Sequence, residues 1–130
     1  MTLNTRNAAN AYLENAVMTA SPAKIVKLLY DKLLQHLESA RGELSDPQRR
    51  LGVAASASLS KALAIVAELR NALDFTADSD VPRNLDRIYD FVTQRLTEAN
   101  IKRASAPVEE AVRALRPMKE AWDELVTRGA

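Results

Sequence analysis

The chemistry open to this sequence is limited by its single histidine, His36. The chain has 130 residues and no cysteine. A di-iron or di-manganese centre in a helical bundle takes a Glu-x-x-His motif from each of two helices and a glutamate from each of the other two. Nucleophilic catalysis needs a base within reach of a serine or threonine, and His36 is the only histidine available for that role. We therefore expect no enzymatic activity, no metal site and no cofactor.

The remaining motifs that could carry chemistry have structural explanations. Gly42, Gly52 and Gly129 lie too far apart in the sequence to form a phosphate-binding loop. The adjacent carboxylates of Glu109 and Glu110 fall in the first turn of a predicted helix, where negative charge complements the helix dipole. These residues favour a helical scaffold over an active site.

Charge and hydropathy restrict the partners. The formal net charge is +1, whereas binding to nucleic acid or anionic lipid depends on many clustered Lys and Arg side chains. Every apolar run is far shorter than the ~20 residues that cross a bilayer. The first ten residues, MTLNTRNAAN, lack the basic and apolar regions of a secretory signal. We expect a cytoplasmic protein that binds no nucleic acid and does not insert into a membrane.

Apolar residues recur at intervals of three and four along four stretches of the chain, which is typical of amphipathic helices. No stretch sustains the strict alternation of a half-buried strand. The predicted helices cover about residues 22–44, 47–74, 82–100 and 107–127. Helices of this length joined by short turns predict an all-α fold, an antiparallel up-and-down four-helix bundle over residues 21–130.

Three local features give more specific expectations. The residues from Ala54 to Ser58 have little side chain to bury, so we expect some fraying at that end of the second helix. Pro117 lies inside the fourth helix, where it removes a backbone hydrogen bond and predicts a kink costing about 3 kcal/mol. Trp122 has the spacing of the buried seam, and we expect it to anchor the core.

A polar segment precedes the first helix. Residues 1–20 contain Tyr12, Val17 and Met18 among several asparagines, which is too little apolar surface to fold alone. We predict a mobile N-terminal arm that needs another surface to lie on. Ser21 is predicted to cap the helix that follows.

The apolar stripe of the first helix is broader than a bundle seam requires, because Ile25 and Leu28 widen it. Surplus apolar surface on a small bundle can receive a partner helix or can close a symmetric interface between copies of the chain. The residues alone therefore leave two interpretations, a binding module and a homo-oligomeric structural bundle.

A series of short motifs runs through most of the chain. It comprises Tyr12, Val17-Met18-Thr19-Ala20-Ser21-Pro22, Leu28-Leu29-Tyr30-Asp31, Asn84-Leu85, Tyr89-Asp90-Phe91 and Ala121-Trp122. Together these motifs resemble the FliS family of flagellar secretion chaperones.

The resemblance implies a cytoplasmic export chaperone that binds the disordered C-terminal region of flagellin, prevents its premature polymerisation and delivers it to the flagellar type III export gate. It implies neither catalytic turnover nor a cofactor. The free protein is expected to be a monomer or a weak dimer. A homo-oligomeric structural bundle without a flagellin client stays the alternative.

Candidate partner-binding residues come from the arm and from the first three helices. Tyr12 has two interpretations, packing on the bundle or contacting a partner, and the resemblance associates its segment with capping the client groove and with the export gate. For the aromatic residues and the residues on the helix seams, burial in the core is the default interpretation, and lining of the client groove is the alternative. The full set is Tyr12, Val17, Tyr30, Leu69, Leu73, Leu85, Ile88, Tyr89 and Phe91.

Overall fold

The computed structural model describes residues 22–129, which form four α-helices and no strand. The helices are α1 (Pro22–Ser45), α2 (Val53–Asn71), α3 (Val81–Lys102) and α4 (Ala106–Thr127). The arm, with Tyr12, Val17 and the predicted cap Ser21, lies outside the described residues. The all-α four-helix prediction is confirmed.

Each helix packs against two others, so the bundle closes on itself. α1 packs against α2 and α4, and α3 packs against the same two helices. The turn after α1 meets the turn after α3, because the Arg50 guanidinium donates to the Arg103 carbonyl at 3.2 Å and the Arg103 guanidinium donates to the Gly52 carbonyl at 3.1 Å. Two turns at the same end of the bundle are what an up-and-down antiparallel order requires.

The core consists of the inward stripes of all four helices. Leucine dominates, and alanines sit where the helices approach closely. Its largest fully buried side chains are Tyr30, Tyr89, Leu33, Leu37, Leu59, Leu96, Leu115, Val66, Val92 and Val108. Removing this apolar surface from water is the main favourable contribution to the fold.

α2 begins at Val53, several residues after the predicted start at Pro47. The segment from Asp46 is a separate turn: the Asp46 carboxylate accepts the Gln48 N–H at 2.9 Å, and the Asp46 carbonyl accepts the Arg50 N–H at 2.9 Å. Gly52 then takes an extended conformation, with φ −81° and ψ 170°. The proline therefore opens a turn, and the glycine prevents that turn from continuing into the helix.

The first turns of α2 pack closely against the neighbouring helices, and the expected fraying stays a prediction. Ala55 is fully buried, and the Ser56 hydroxyl donates to the Asn100 side chain at 2.9 Å. The Ser58 hydroxyl donates to Glu43 at 3.0 Å. Small side chains let α2 approach its neighbours closely, and the hydroxyls then join it to α1 and α3.

Pro117 does not end α4, which continues to Thr127. Both Pro117 and Arg113 are exposed. Water can therefore hydrogen-bond to the Arg113 carbonyl, which loses its helical partner to the proline.

Candidate functional site

All four helices contribute to an apolar cleft at the end of the bundle where α1 begins. The cleft has a volume of about 180 Å³. Its walls come from the first turns of α1 and α3 and from the last turns of α2 and α4. The lining residues are Val26, Leu69, Ala72, Leu73, Asp74, Leu85, Tyr89 and Trp122. α1 starts at Pro22, four residues before the cleft residue Val26.

Two buried tyrosines lie at the base of the cleft. The hydroxyl oxygens of Tyr30 and Tyr89 are 2.6 Å apart, and their ring centroids are 6.5 Å apart. Burial raises the pKa of both phenols. The indole of Trp122 has the opposite effect on the pKa of Tyr30, because an N–H donor near the phenol oxygen favours its ionised form. Both hydroxyls are therefore protonated at neutral pH.

Ion pairs join the helices on two sides of the cleft end. Between α1 and α4, Lys27 lies 3.6 Å from Asp123 and Lys119 lies 3.5 Å from Asp31. Within α1, Lys27 also lies 2.6 Å from Asp31, and within α4, Lys119 contacts Asp123. The Asp123 carboxylate keeps a depressed pKa, chiefly because Lys119 hydrogen-bonds to it. Partly exposed pairs of this kind contribute about 0–1 kcal/mol each, so they orient the helices more than they stabilise them.

Between α2 and α3, Arg70 makes the corresponding contacts. Its guanidinium lies 2.6 Å from Asp86 and 3.5 Å from Asp90. The pairing with Asp86 raises the pKa of Arg70. The cleft walls are thus held at set positions by charges on the outside of the bundle.

His36 is half-buried in the middle of α1. Burial lowers its pKa, and the nearby Lys32 and Lys61 lower it further, so the imidazole is neutral at pH 7. Within residues 22–129, no group of three histidine, aspartate or glutamate side chains is placed to hold a metal ion. In the same part of the chain, no helix is both long and apolar enough to cross a membrane.

The structure brings together four of the residues that the sequence singled out. Leu69, Leu73, Leu85 and Tyr89 all line the cleft. The other described candidates are placed elsewhere. Tyr30 is fully buried beneath the cleft, Ile88 packs against the core, and Phe91 is 42% exposed with the Arg95 guanidinium 6.0 Å from its ring centre.

Val26 and Trp122 line the cleft although neither was a candidate. Trp122 was predicted to be a core anchor, but it is only partly buried at the edge of the core. Its seam spacing correctly turns it inward, yet it lies near the end of α4, where no further layer of side chains covers it. Tryptophan is seldom fully buried, which was the available signal.

The two ends of the bundle differ in charge. The turn between α2 and α3 has three aspartates, Asp74, Asp78 and Asp80, and no basic residue. At the opposite end, Asp46 is accompanied by a set of four basic residues in the two turns and at the last residue of α3. That basic set is Arg49, Arg50, Lys102 and Arg103. The formal charge of +1 therefore conceals an acidic turn at the cleft end and basic turns at the opposite end, which is called the basic end below.

The described residues form a small helical bundle with an open apolar cleft at one end. The comparison with known families indicates to which class of protein this bundle belongs. The family described as Flagellar protein FliS matches residues 5–129. The chain therefore belongs to the FliS family, which places it among flagellar export chaperones rather than enzymes.

Individual relatives agree over most of the chain. The flagellar secretion chaperone FliS of Escherichia coli K12 is 35% identical over 114 residues, covering 86% of this chain and 81% of the relative. The FliS chaperone of Salmonella typhimurium is 32% identical over 118 residues, covering 90% and 85%. The FliS chaperone of Vibrio cholerae is 31% identical over 113 residues, covering 87% and 81%.

Proposed function

We propose that this protein binds the disordered C-terminal region of flagellin in the cytoplasm, prevents its premature polymerisation and delivers it to the flagellar type III export gate. Membership of the FliS family supports the flagellar role. The apolar cleft carries the proposal of direct client binding, because it offers a concave, apolar surface to which all four helices contribute.

The size of the cleft suggests what it receives. Pockets for small molecules usually have volumes of roughly 300–1,000 Å³, whereas this cleft has about 180 Å³. It suits one or two apolar side chains of a longer segment. The rest of the client would then lie along the outer faces of the helices, as in helix-in-groove recognition.

The arm is proposed to cover the same cleft when no client is bound. Tyr12 precedes Pro22 by ten residues, and an extended chain of that length spans ~33 Å. The five residues from Val17 to Pro22 span ~17 Å when extended, and the cleft residue Val26 lies four residues, or ~6 Å of helix, beyond Pro22. Chains of these lengths allow Tyr12 or Val17 to reach the cleft. The same segment is proposed to contact the export gate once the client has displaced it.

Calorimetry with the organism's flagellin, intact and lacking its C-terminal tail, tests the proposal. We expect a one-to-one complex with intact flagellin and loss of binding with the truncated form. Equal affinity for both forms would contradict the proposed mode. Light scattering on the free protein addresses the alternative, since a stable homo-oligomer that ignores flagellin would indicate a structural bundle instead.

A further inference from the structure

The tyrosine pair beneath the cleft has one hydrogen more than it uses. Two phenol groups carry two hydroxyl hydrogens. The bond between Tyr30 and Tyr89 uses one of them, since one oxygen donates and the other accepts. Neither hydroxyl has another acceptor among residues 22–129. The second hydrogen is therefore available for a further bond.

The surroundings of Tyr30 indicate which hydroxyl keeps that hydrogen. Tyr30 is 0% exposed and does not line the cleft, whereas Tyr89 does. The hydrogen of the Tyr30 hydroxyl therefore goes to the Tyr89 oxygen, the one partner that it has among residues 22–129. In the reverse order, the Tyr30 hydrogen would be buried without an acceptor, which is costly.

The spare hydrogen consequently belongs to Tyr89, which lines the cleft. The carboxylate of Asp74 also lines it, but that group already accepts the Thr76 N–H at 3.0 Å and the Thr76 hydroxyl at 2.5 Å. The other lining side chains are apolar except for the indole of Trp122, which is a donor. The described part of the bundle thus presents a hydrogen-bond donor in an apolar cleft and supplies no partner for it.

We propose that the Tyr89 hydroxyl donates a hydrogen bond to a backbone carbonyl of the bound segment and so fixes the register of that segment. The segment that suits this site is the last turn of an amphipathic helix. Its apolar side chains fill the cleft, and its final carbonyls lack helical partners. This inference rests on the proposed client binding and adds the chemistry of what the cleft recognises.

A pair of matched variants separates this donor from a structural role. Tyr89→Phe and Tyr30→Phe each remove one hydroxyl from the same buried pair, but only Tyr89→Phe removes the donor to the cleft. We expect Tyr89→Phe to weaken binding of the flagellin C-terminal tail about tenfold, as loss of one buried hydrogen bond does. We expect Tyr30→Phe to change the affinity less than about twofold, because it leaves the Tyr89 hydroxyl free to donate to the bound segment.

The binding partner of Tyr89 can be located with tail peptides in which one amide at a time is replaced by an ester, which weakens the carbonyl as an acceptor. At one position, the ester should weaken binding to the wild-type chain but not to Tyr89→Phe. Equal losses for the two tyrosine variants, or no ester position that depends on Tyr89, would overturn the inference while the wild-type chain still binds the tail. Absence of binding by the wild-type chain would overturn the proposed function as well.

Discussion

The cleft end and the opposite end of the bundle both expose apolar side chains, but the two ends arrange these side chains differently. At the opposite end, Leu51, Val53 and Ile101 are 72%, 86% and 76% exposed. They stand outward beside basic residues, and the neighbouring depression lies along a single face of α3. At the cleft end, Leu69, Leu73, Leu85 and Trp122 are less exposed but face one another. The two ends of the bundle therefore differ more in the concavity of their apolar surface than in the area that is exposed.

The ends also differ in how their turns are held. The basic end is joined by reciprocal side-chain to backbone bonds between Arg50 and Arg103, and Arg103 itself ends α3 in a left-handed conformation with φ 54°. A non-glycine residue in that region costs of the order of 1 kcal/mol, so these bonds hold a strained turn. The cleft end has its ion pairs on the outer faces and leaves its apolar mouth open.

The largest difference is expected from a charge placed at each end. Leu85→Glu would place a carboxylate in the cleft, where an apolar client side chain offers no partner, and should weaken flagellin binding at least about a hundredfold. The matched control Ile101→Glu places the same charge at the opposite end and should change the affinity less than about twofold. Calorimetry measures both, and circular dichroism confirms that each variant is folded. Equal losses would mean that client binding does not distinguish the two ends.

The next effect concerns packing at the basic end. Ala55 is fully buried where α2 meets its neighbours, so Ala55→Leu should lower the free energy of unfolding by about 1–3 kcal/mol through overpacking. Ala57 lies on the exposed side of the same turn, and Ala57→Leu should change the free energy of unfolding by less than about 0.5 kcal/mol. Urea denaturation measures both values. If Ala55→Leu does not lower the free energy of unfolding, this end of α2 is loosely packed, as the expectation of fraying implies.

The arrangement of the helices could be predicted because periodicity of three and four reports which side of a helix faces inward. The start of α2 could not be predicted, because Asp46-Pro47 suits a turn as well as a helix start. The contact between Gly52 and Arg103, which are far apart in the sequence, cannot be read from the sequence either. Trp122 shows a second limit. Seam spacing gives the direction of a side chain, whereas its depth depends on how many layers lie beyond it.

The site was predicted in part for the same reason. Leu69, Leu73, Leu85 and Tyr89 were named because they lie on or near the seam of α2 and α3, and they do meet at the cleft. Val26 comes from α1, and its contribution depends on how α1 is placed against α2 and α4. The contrast in charge was hidden because a net charge sums over both ends. The fold is needed to show that Asp74, Asp78 and Asp80 lie at one end of the bundle and the basic set at the other.

A smaller effect is expected from the arm. If residues before Met18 cover the cleft, a chain that begins at Met18 should bind the flagellin tail about twofold to tenfold more tightly, because the arm no longer competes. The comparison requires calorimetry with the full-length and shortened chains at the same salt concentration. A marked loss of affinity would instead make the arm part of the client site and would contradict the capping proposal.

The smallest effect is a difference in pH dependence between the two ends. The pKa of Asp123 at the cleft end is depressed from its ordinary value of 3.8, chiefly by Lys119, and the pKa of Glu98 at the basic end is depressed from 4.5, chiefly by Lys102. A carboxylate with a depressed pKa contributes stability above its unfolded pKa and loses it as the pH falls through the folded value. Both residues should therefore steepen the loss of stability in acid.

The alkaline side should separate the two ends. The pKa of Lys27 is raised above 10.5, chiefly by its hydrogen bond to Asp31, and that of Lys119 chiefly by Asp123. A raised lysine contributes stability below its unfolded pKa and loses it as the pH rises through the folded value. Asp123→Asn should therefore flatten both the acid and the alkaline branch of a plot of unfolding free energy against pH. Glu98→Gln leaves the Lys27 and Lys119 contacts intact, so it should flatten the acid branch alone; identical profiles for the two variants would show that the charges between α1 and α4 do not act as one cluster.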